Sequence, residues 1–139
     1  MMTCGRGHKL PKTKAHDLPV PTEEEEQTAL FLWAEWESGV HPELRLMFHV
    51  PNEGKRSMVQ AAIMRRMGLK AGVPDICLPV PRGHYHGMFI EMKRQKGGNL
   101  GENQQAWLDA LTGQGYYCVI CKGWEIAVKE IKAYLSEQV

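Results

Sequence analysis

Asp75, Glu91 and Lys93 are the residues of this chain whose types and spacing could do chemistry. Asp75 and Glu91 each lie in a mainly apolar run, where an ionised carboxylate is costly unless it is paired or bound to metal. The two runs are joined by a turn around Gly83, which stands midway between positions 75 and 91. A hairpin symmetric about Gly83 sets Asp75 opposite Glu91, with Cβ atoms about 4.5–5.5 Å apart on one face of the sheet. Two carboxylates that close repel, and a divalent cation is the simplest way to keep both ionised. Oxygen ligands with room for water suit Mg²⁺ or Mn²⁺ better than Zn²⁺. Strand side chains alternate, so Lys93 shares the face of Glu91 while Met92 points away. An ammonium beside a metal and a phosphate orients a water, helps to deprotonate it and steadies developing negative charge. The chemistry expected of the three together is metal-assisted hydrolysis of a phosphodiester. A plain Glu91–Lys93 salt bridge is the competing, purely structural reading.

The elements that must position these groups can be read from caps, breakers and periodicity. Thr22 and Glu25 form a capping box, and the acids Glu23 to Glu26 suit the first turn of a helix running to Glu37. Ala29, Leu30, Trp33 and Trp36 or Glu37 form its expected apolar stripe. Leu44–Val50 reads as a strand closed by Pro51. Ser57–Met67 has helical spacing through Val59, Ala62, Ile63 and Met67, with Gly68 as its C-terminal cap. Val73–Val80 and Gly87–Lys93 are the hairpin strands. Glu102–Thr112 is helical, with Ala106, Trp107, Ala110 and Leu111 expected to face inward. Tyr116–Cys121 is a strand and Trp124–Leu135 a closing amphipathic helix. The order α-β-α-β-β-α-β-α predicts an α/β fold, with a central mixed β-sheet flanked by helices.

The chain has 139 residues, enough for one domain, expected over 22–139 behind a flexible tail at 1–21. Its 43% hydrophobic content and 24% charged content are ordinary for a globular protein. No apolar run is long enough to span a bilayer, and the N-terminus lacks the apolar core of a secretory signal. Four cysteines in such a chain read as reduced thiols, and the expected compartment is the cytoplasm of a bacterium or of a cell infected by phage. The net charge of +1 conceals a basic middle: residues 45–96 carry ten Lys/Arg against three Asp/Glu. A field of that kind favours a polyanion, nucleic acid above all.

The run AGVPDICLPVPRGHYHGMFIEMKR, preceded by His49-Val50-Pro51-Asn52-Glu53-Gly54 and followed by Gln104-Gln105-Ala106-Trp107-Leu108, resembles the VRR-NUC (virus-type replication-repair nuclease) branch of the PD-(D/E)XK nuclease superfamily. The resemblance covers roughly residues 22–135. It implies a restriction-endonuclease-like core, Asp75 and Glu91 as metal ligands helped by the backbone carbonyl of Met92, and Lys93 as the catalytic lysine. It also implies a glutamate from the first helix. Glu26 shares the inward face with Leu30 and Trp33 and is chosen here, with Glu23 one turn earlier as the reserve. Gln104 resembles the family's glutamine, expected to hold a water, Lys93 or a phosphate. The Asn52-Glu53-Gly54 turn would lie on the rim of the site. Lys55 and Arg56 beside it are expected to touch phosphate oxygens, which position DNA without reading its sequence.

The expected activity is therefore that of a Mg²⁺- or Mn²⁺-dependent DNA endonuclease. A core this small leaves little surface for sequence readout, which points to branched DNA. Compact virus-type relatives resemble Holliday-junction resolvases, which implies a homodimer. The rival from another class is an inactive nucleic-acid-binding module with the same fold. His84 and His86 are two ligands without further partners and read as surface residues. His49 could approach the site. Cys118 and Cys121 face opposite sides of a strand and read as free thiols, and the four tryptophans read as packing residues.

Overall fold

The computed structural model describes residues 18–51, 54 and 56–137. Within it lie helix α1 (Glu23–Glu37), a 3-10 helix (Pro42–Leu46), β1 (Phe48–His49), α2 (Met58–Arg66), β2 (Ile76–Leu78), β3 (Met88–Lys93), α3 (Glu102–Gly113), β4 (Tyr117–Lys122) and α4 (Trp124–Ser136). The strands form one sheet in the order β1-β2-β3-β4. The first two pairings are antiparallel and the third is parallel, reached through the α3 crossover. The result is a mixed sheet with flanking helices. The tail read at 1–21 falls outside the described residues as far as residue 17.

The β2–β3 register is the feature that positions the site. Ile76 faces Ile90, Cys77 faces Phe89 and Leu78 faces Met88, so the hairpin is centred on Gly83. Gly83 has φ +54°, a left-handed value that glycine adopts freely. Alternation then sorts the two faces. Ile76, Leu78, Met88, Ile90 and Met92 join Leu30 and Ala34 of α1 and Ala127 and Ile131 of α4 in the core. Each large side chain fully removed from water there contributes about 1.5–3 kcal/mol. Phe89, Glu91 and Lys93 occupy the opposite face, where Phe89 meets Tyr116 edge-on.

Local interactions explain the helix ends. Thr22 and Glu25 exchange their capping bonds, at 3.2 and 2.7 Å, and Ser57 accepts from Gln60 N–H to start α2. Several inward assignments differ from the sequence reading. The stretch expected as one strand over Leu44–Val50 is a 3-10 helix followed by a two-residue strand. Pro42 occupies the first turn of that helix, where its missing N–H costs nothing, and the helix turns Leu44 into the core. Trp36 is 88% exposed, while Ala34 takes the buried position on α1. On α3 the buried residue is Leu108, and Ala106 and Ala110 are exposed. Helix α2 has no buried residue, so Val59, Ala62, Ile63 and Met67 all face outward. Among the described residues, no helix is long and apolar enough to cross a membrane.

Gly72, in the loop that leads into β2, has φ +88°, and a Cβ there would stand 2.7 Å from the backbone carbon of Asn103. The loop carrying Asp75 is thus pressed against the first turn of α3, which carries Gln104. Gly72→Ala combines a strained backbone with overlap against main chain. It is expected to cost about 3 kcal/mol or more, measured as a lowered urea midpoint.

Candidate active site

Asp75 immediately precedes β2, and extending the hairpin register by one residue sets it opposite Glu91. Its carbonyl accepts from Val50 N–H at 2.7 Å and from His49 Nδ1 at 2.8 Å. Its carboxylate Oδ2 accepts from the backbone N–H of Met92 at 2.8 Å. Asp75 is therefore fixed at both ends of the residue, and its remaining oxygen has no hydrogen-bond partner among the described residues. Burial pushes its carboxyl above the ordinary carboxylate range, against the lowering effect of the Met92 N–H.

Glu91 is 1% exposed. Desolvation, and then repulsion from Asp75, push its carboxyl up to about 7. Its Oε1 accepts from Gln104 Nε2 at 2.6 Å and lies 3.4 Å from Lys93 Nζ. Among the described residues, its buried Oε2 has no hydrogen-bond partner. An unpartnered buried carboxylate oxygen is a costly feature, removed when a cation or a proton arrives there.

Lys93 is 5% exposed. Its Nζ donates to Gln104 Oε1 at 3.1 Å and stands 4.0 Å from Glu23 Oε1. Gln104 Oε1 also accepts from Gly101 N–H at 2.8 Å, which fixes the amide so that its nitrogen faces Glu91. One side chain at the start of α3 thus orients both the acid and the amine. Gly98 covers the stem of the lysine: a Cβ there would lie 3.2 Å from Lys93 Cβ and 3.3 Å from its Cδ.

Glu23, Glu24, Gln27, His49, Asp75 and Met92 line a cleft of about 510 Å³ beside these groups. The glutamate that α1 sends to the site is Glu23, the reserve of the sequence reading. Glu26, the first choice, is not among the residues that line this cleft. It is 1% exposed and points elsewhere, its Oε1 accepting from Gln95 Nε2 at 2.8 Å and its Oε2 from the backbone N–H of Trp124 at 2.7 Å. Both its oxygens are used, one by the Gln95 side chain and one at the start of α4. Among the described residues, no three His, Cys, Asp or Glu side chains are already grouped as a metal site. Asp75, Glu91 and Glu23 are the residues that could hold a cation after side-chain rotation.

Of the expected rim, Asn52, Glu53 and Lys55 lie outside the described residues. Arg56 is exposed, beside Gln60, Ile63 and Met64 of α2. His84 and His86 are exposed at the hairpin turn. Cys77, Cys118 and Cys121 are free thiols. The spacing missed Gln95, Gly98 and Gly123, because their roles depend on contacts between elements far apart in the chain.

The comparison with known proteins agrees with the fold. The sequence model of the VRR-NUC domain matches residues 22–125, three quarters of the chain. The chain belongs to the VRR-NUC domain family. A solved structure described as a VRR_NUC domain protein is 29% identical to this VRR-NUC chain. It superposes with a TM-score of 0.73, over 87% of this chain and 93% of its own. No curated protein matches the chain. The family is of nuclease type, and in this VRR-NUC domain the matched span takes in Glu23, Asp75, Glu91, Lys93 and Gln104.

Proposed function

We propose that the protein is a DNA endonuclease dependent on Mg²⁺ or Mn²⁺, selective for branched DNA and working as a homodimer. The observation that carries the reading is the set of groups on one sheet face. Glu91 and Lys93 are buried side by side, bridged by Gln104, with Asp75 across the hairpin from Glu91. The donor chemistry fits a hard divalent cation: every candidate ligand is an oxygen, and the buried Oε2 of Glu91 has no partner among the described residues. Asp75, Glu91 and Glu23 would hold it, with the Met92 carbonyl as a further oxygen. When bound, such an ion polarises the phosphate and makes water a better nucleophile.

The chain's own residues do the rest. Lys93 would donate to a phosphate oxygen or to the incoming water and offset the negative charge that builds on the phosphoryl and leaving-group oxygens as the P–O bond to water forms and the P–O bond to the sugar breaks. Gln104 holds the lysine Nζ with its amide oxygen and the Glu91 carboxylate with its amide nitrogen. Arg56, with Asn52 and Lys55 beside it in the sequence, would hold the DNA backbone at the rim. Two copies related by a two-fold axis would present two such sites, one for each strand of a four-way junction.

The test is incubation of purified protein with labelled four-way junction, flap and linear duplex in Mg²⁺, Mn²⁺ or EDTA. The expected result is nicking with either metal, fastest on the junction, and none in EDTA. Binding without cleavage under every condition would replace the reading with that of an inactive binding module. Equal rates on junction and duplex would remove the branched-DNA assignment alone.

A further inference from the structure

Glu26 is a buried carboxylate that the proposed chemistry leaves unused, yet it is more tightly held than the glutamate that serves the site. Its Oε2 accepts from Trp124 N–H, the first residue of α4, and its Oε1 from the side chain of Gln95. Both partners lead straight to Lys93. Gln95 follows it by two residues along the chain, and Gly123, which precedes Trp124, donates its N–H to the Lys93 carbonyl at 3.0 Å. The backbone at this point favours glycine and brings the three residues close. Gly123 has φ +95°, and a Cβ there would lie 3.1 Å from Gln95 Cγ and 3.5 Å from Glu26 Oε2. A second strap runs beside the first, since Arg94 donates to the Val20 carbonyl just before α1, at 3.4 Å.

Glu23 needs such an anchor. It stands at the first position of α1 and is about half exposed, and 4.0 Å separates it from Lys93 Nζ. The Thr22–Glu25 capping box closes the first turn of α1 on itself but does not bind it to the sheet, and three residues along a helix displace a side chain by about 4.5 Å. Glu26 is the nearest fixed point on the same face, three residues on.

We infer that Glu26 is a positioning residue: its carboxylate clasps α1 to Gln95 and Trp124, and so keeps Glu23 aimed at Asp75, Glu91 and Lys93. The inference rests on the nuclease reading above. It differs from a ligand role in one respect. The clasp needs two hydrogen bonds and not a charge, and the amide introduced by Glu26→Gln can keep both if the exposed Gln95 amide turns over and offers its oxygen.

The test measures Mn²⁺ binding by electron paramagnetic resonance and the Mg²⁺ dependence of junction cleavage for wild type, Glu26→Gln, Glu26→Ala and Gln95→Ala. Glu26→Ala is expected to raise the half-saturating metal concentration about tenfold, a size usual for residues that orient ligands, with turnover at saturating metal largely restored. Glu26→Gln should stay within about threefold of wild type on both measures. Gln95→Ala should shift the midpoint in the same direction by about threefold, and it keeps the inference testable if Glu26→Ala does not fold. Loss of metal binding in Glu26→Gln equal to that in Glu26→Ala would make Glu26 a ligand and overturn the inference. So would an unchanged metal midpoint in Gln95→Ala, or a Glu26→Ala protein that loses only its folded fraction. A wild type that neither binds Mn²⁺ nor cuts DNA would instead remove the nuclease reading itself.

Discussion

Lys93→Ala is expected to lower metal-dependent cleavage by about a thousandfold while leaving the fold intact, within the range lost when a positioned proton-transfer or charge-stabilising group is removed. Much of the local structure serves to hold this one amine. Its stem is covered by Gly98, and its Nζ is fixed by Gln104 and lies within 4.0 Å of both Glu91 and Glu23. Removing it leaves two acids without their neutralising cation. The Lys93 charge now lowers the titration of Glu91, so in the alanine variant that titration moves upward, away from the form that binds metal. Lys93→Arg keeps the charge but needs a longer, planar head in a slot closed by the Gly98 backbone, and is expected to recover little. The measurements are single-turnover cleavage of a four-way junction and circular dichroism of each variant. Nicking by Lys93→Ala at the wild-type rate would take the lysine out of the mechanism. Gly98→Ala, which presses on the stem without removing the amine, should give an intermediate loss.

The hairpin at the centre of the site was legible because its geometry is arithmetic. Once Gly83 is taken as the centre, the register Ile76 to Ile90 and the pairing of Asp75 with Glu91 follow, and alternation delivers Lys93. The mixed sheet with flanking helices and the family were legible for the same reason: the spacing of the motif tracks the order of elements. The choice between Glu23 and Glu26 was not legible. Both residues share the inward stripe of α1, about 60° apart around the helix and about 4.5 Å apart along it. What separates them is the position of the α4 N-terminus and of Gln95, some 98 and 69 residues away in sequence. The stripe on α2 was legible as a helix, but not its surroundings. Periodicity says which residues share a face and is silent on whether anything covers it. Pro42 likewise converted a strand-like run into a 3-10 helix, since local propensity yields to the need to bury Leu44.

The second large effect is on stability, and its sign runs opposite to that of activity. The Glu91 carboxyl titrates near 7 in the folded chain against about 4.3 when exposed. The folded state therefore holds a proton that the unfolded state has lost throughout that interval. Stability contributed by the protonated form is complete below the exposed value and falls as pH rises towards 7. Asp75 is raised as well and acts in the same direction. Without divalent metal, the protein is expected to lose up to about 3 kcal/mol of unfolding free energy between pH 5 and pH 8 through Glu91. Glu91→Gln cannot ionise, so it should flatten most of that slope and be more stable than wild type at pH 8, while abolishing metal-dependent cleavage. A divalent cation competes with the same proton. Added Mg²⁺ should therefore raise the wild-type melting temperature more at pH 8 than at pH 5.5, and should do little for Glu91→Gln at either. Urea melts across pH, with and without Mg²⁺, test both statements. A wild-type slope identical to that of Glu91→Gln would show that the buried acid is not the group that titrates, and a Mg²⁺ effect retained in Glu91→Gln would place the cation elsewhere. A residue whose removal stabilises the empty protein and silences it has been kept for its chemistry rather than for the fold.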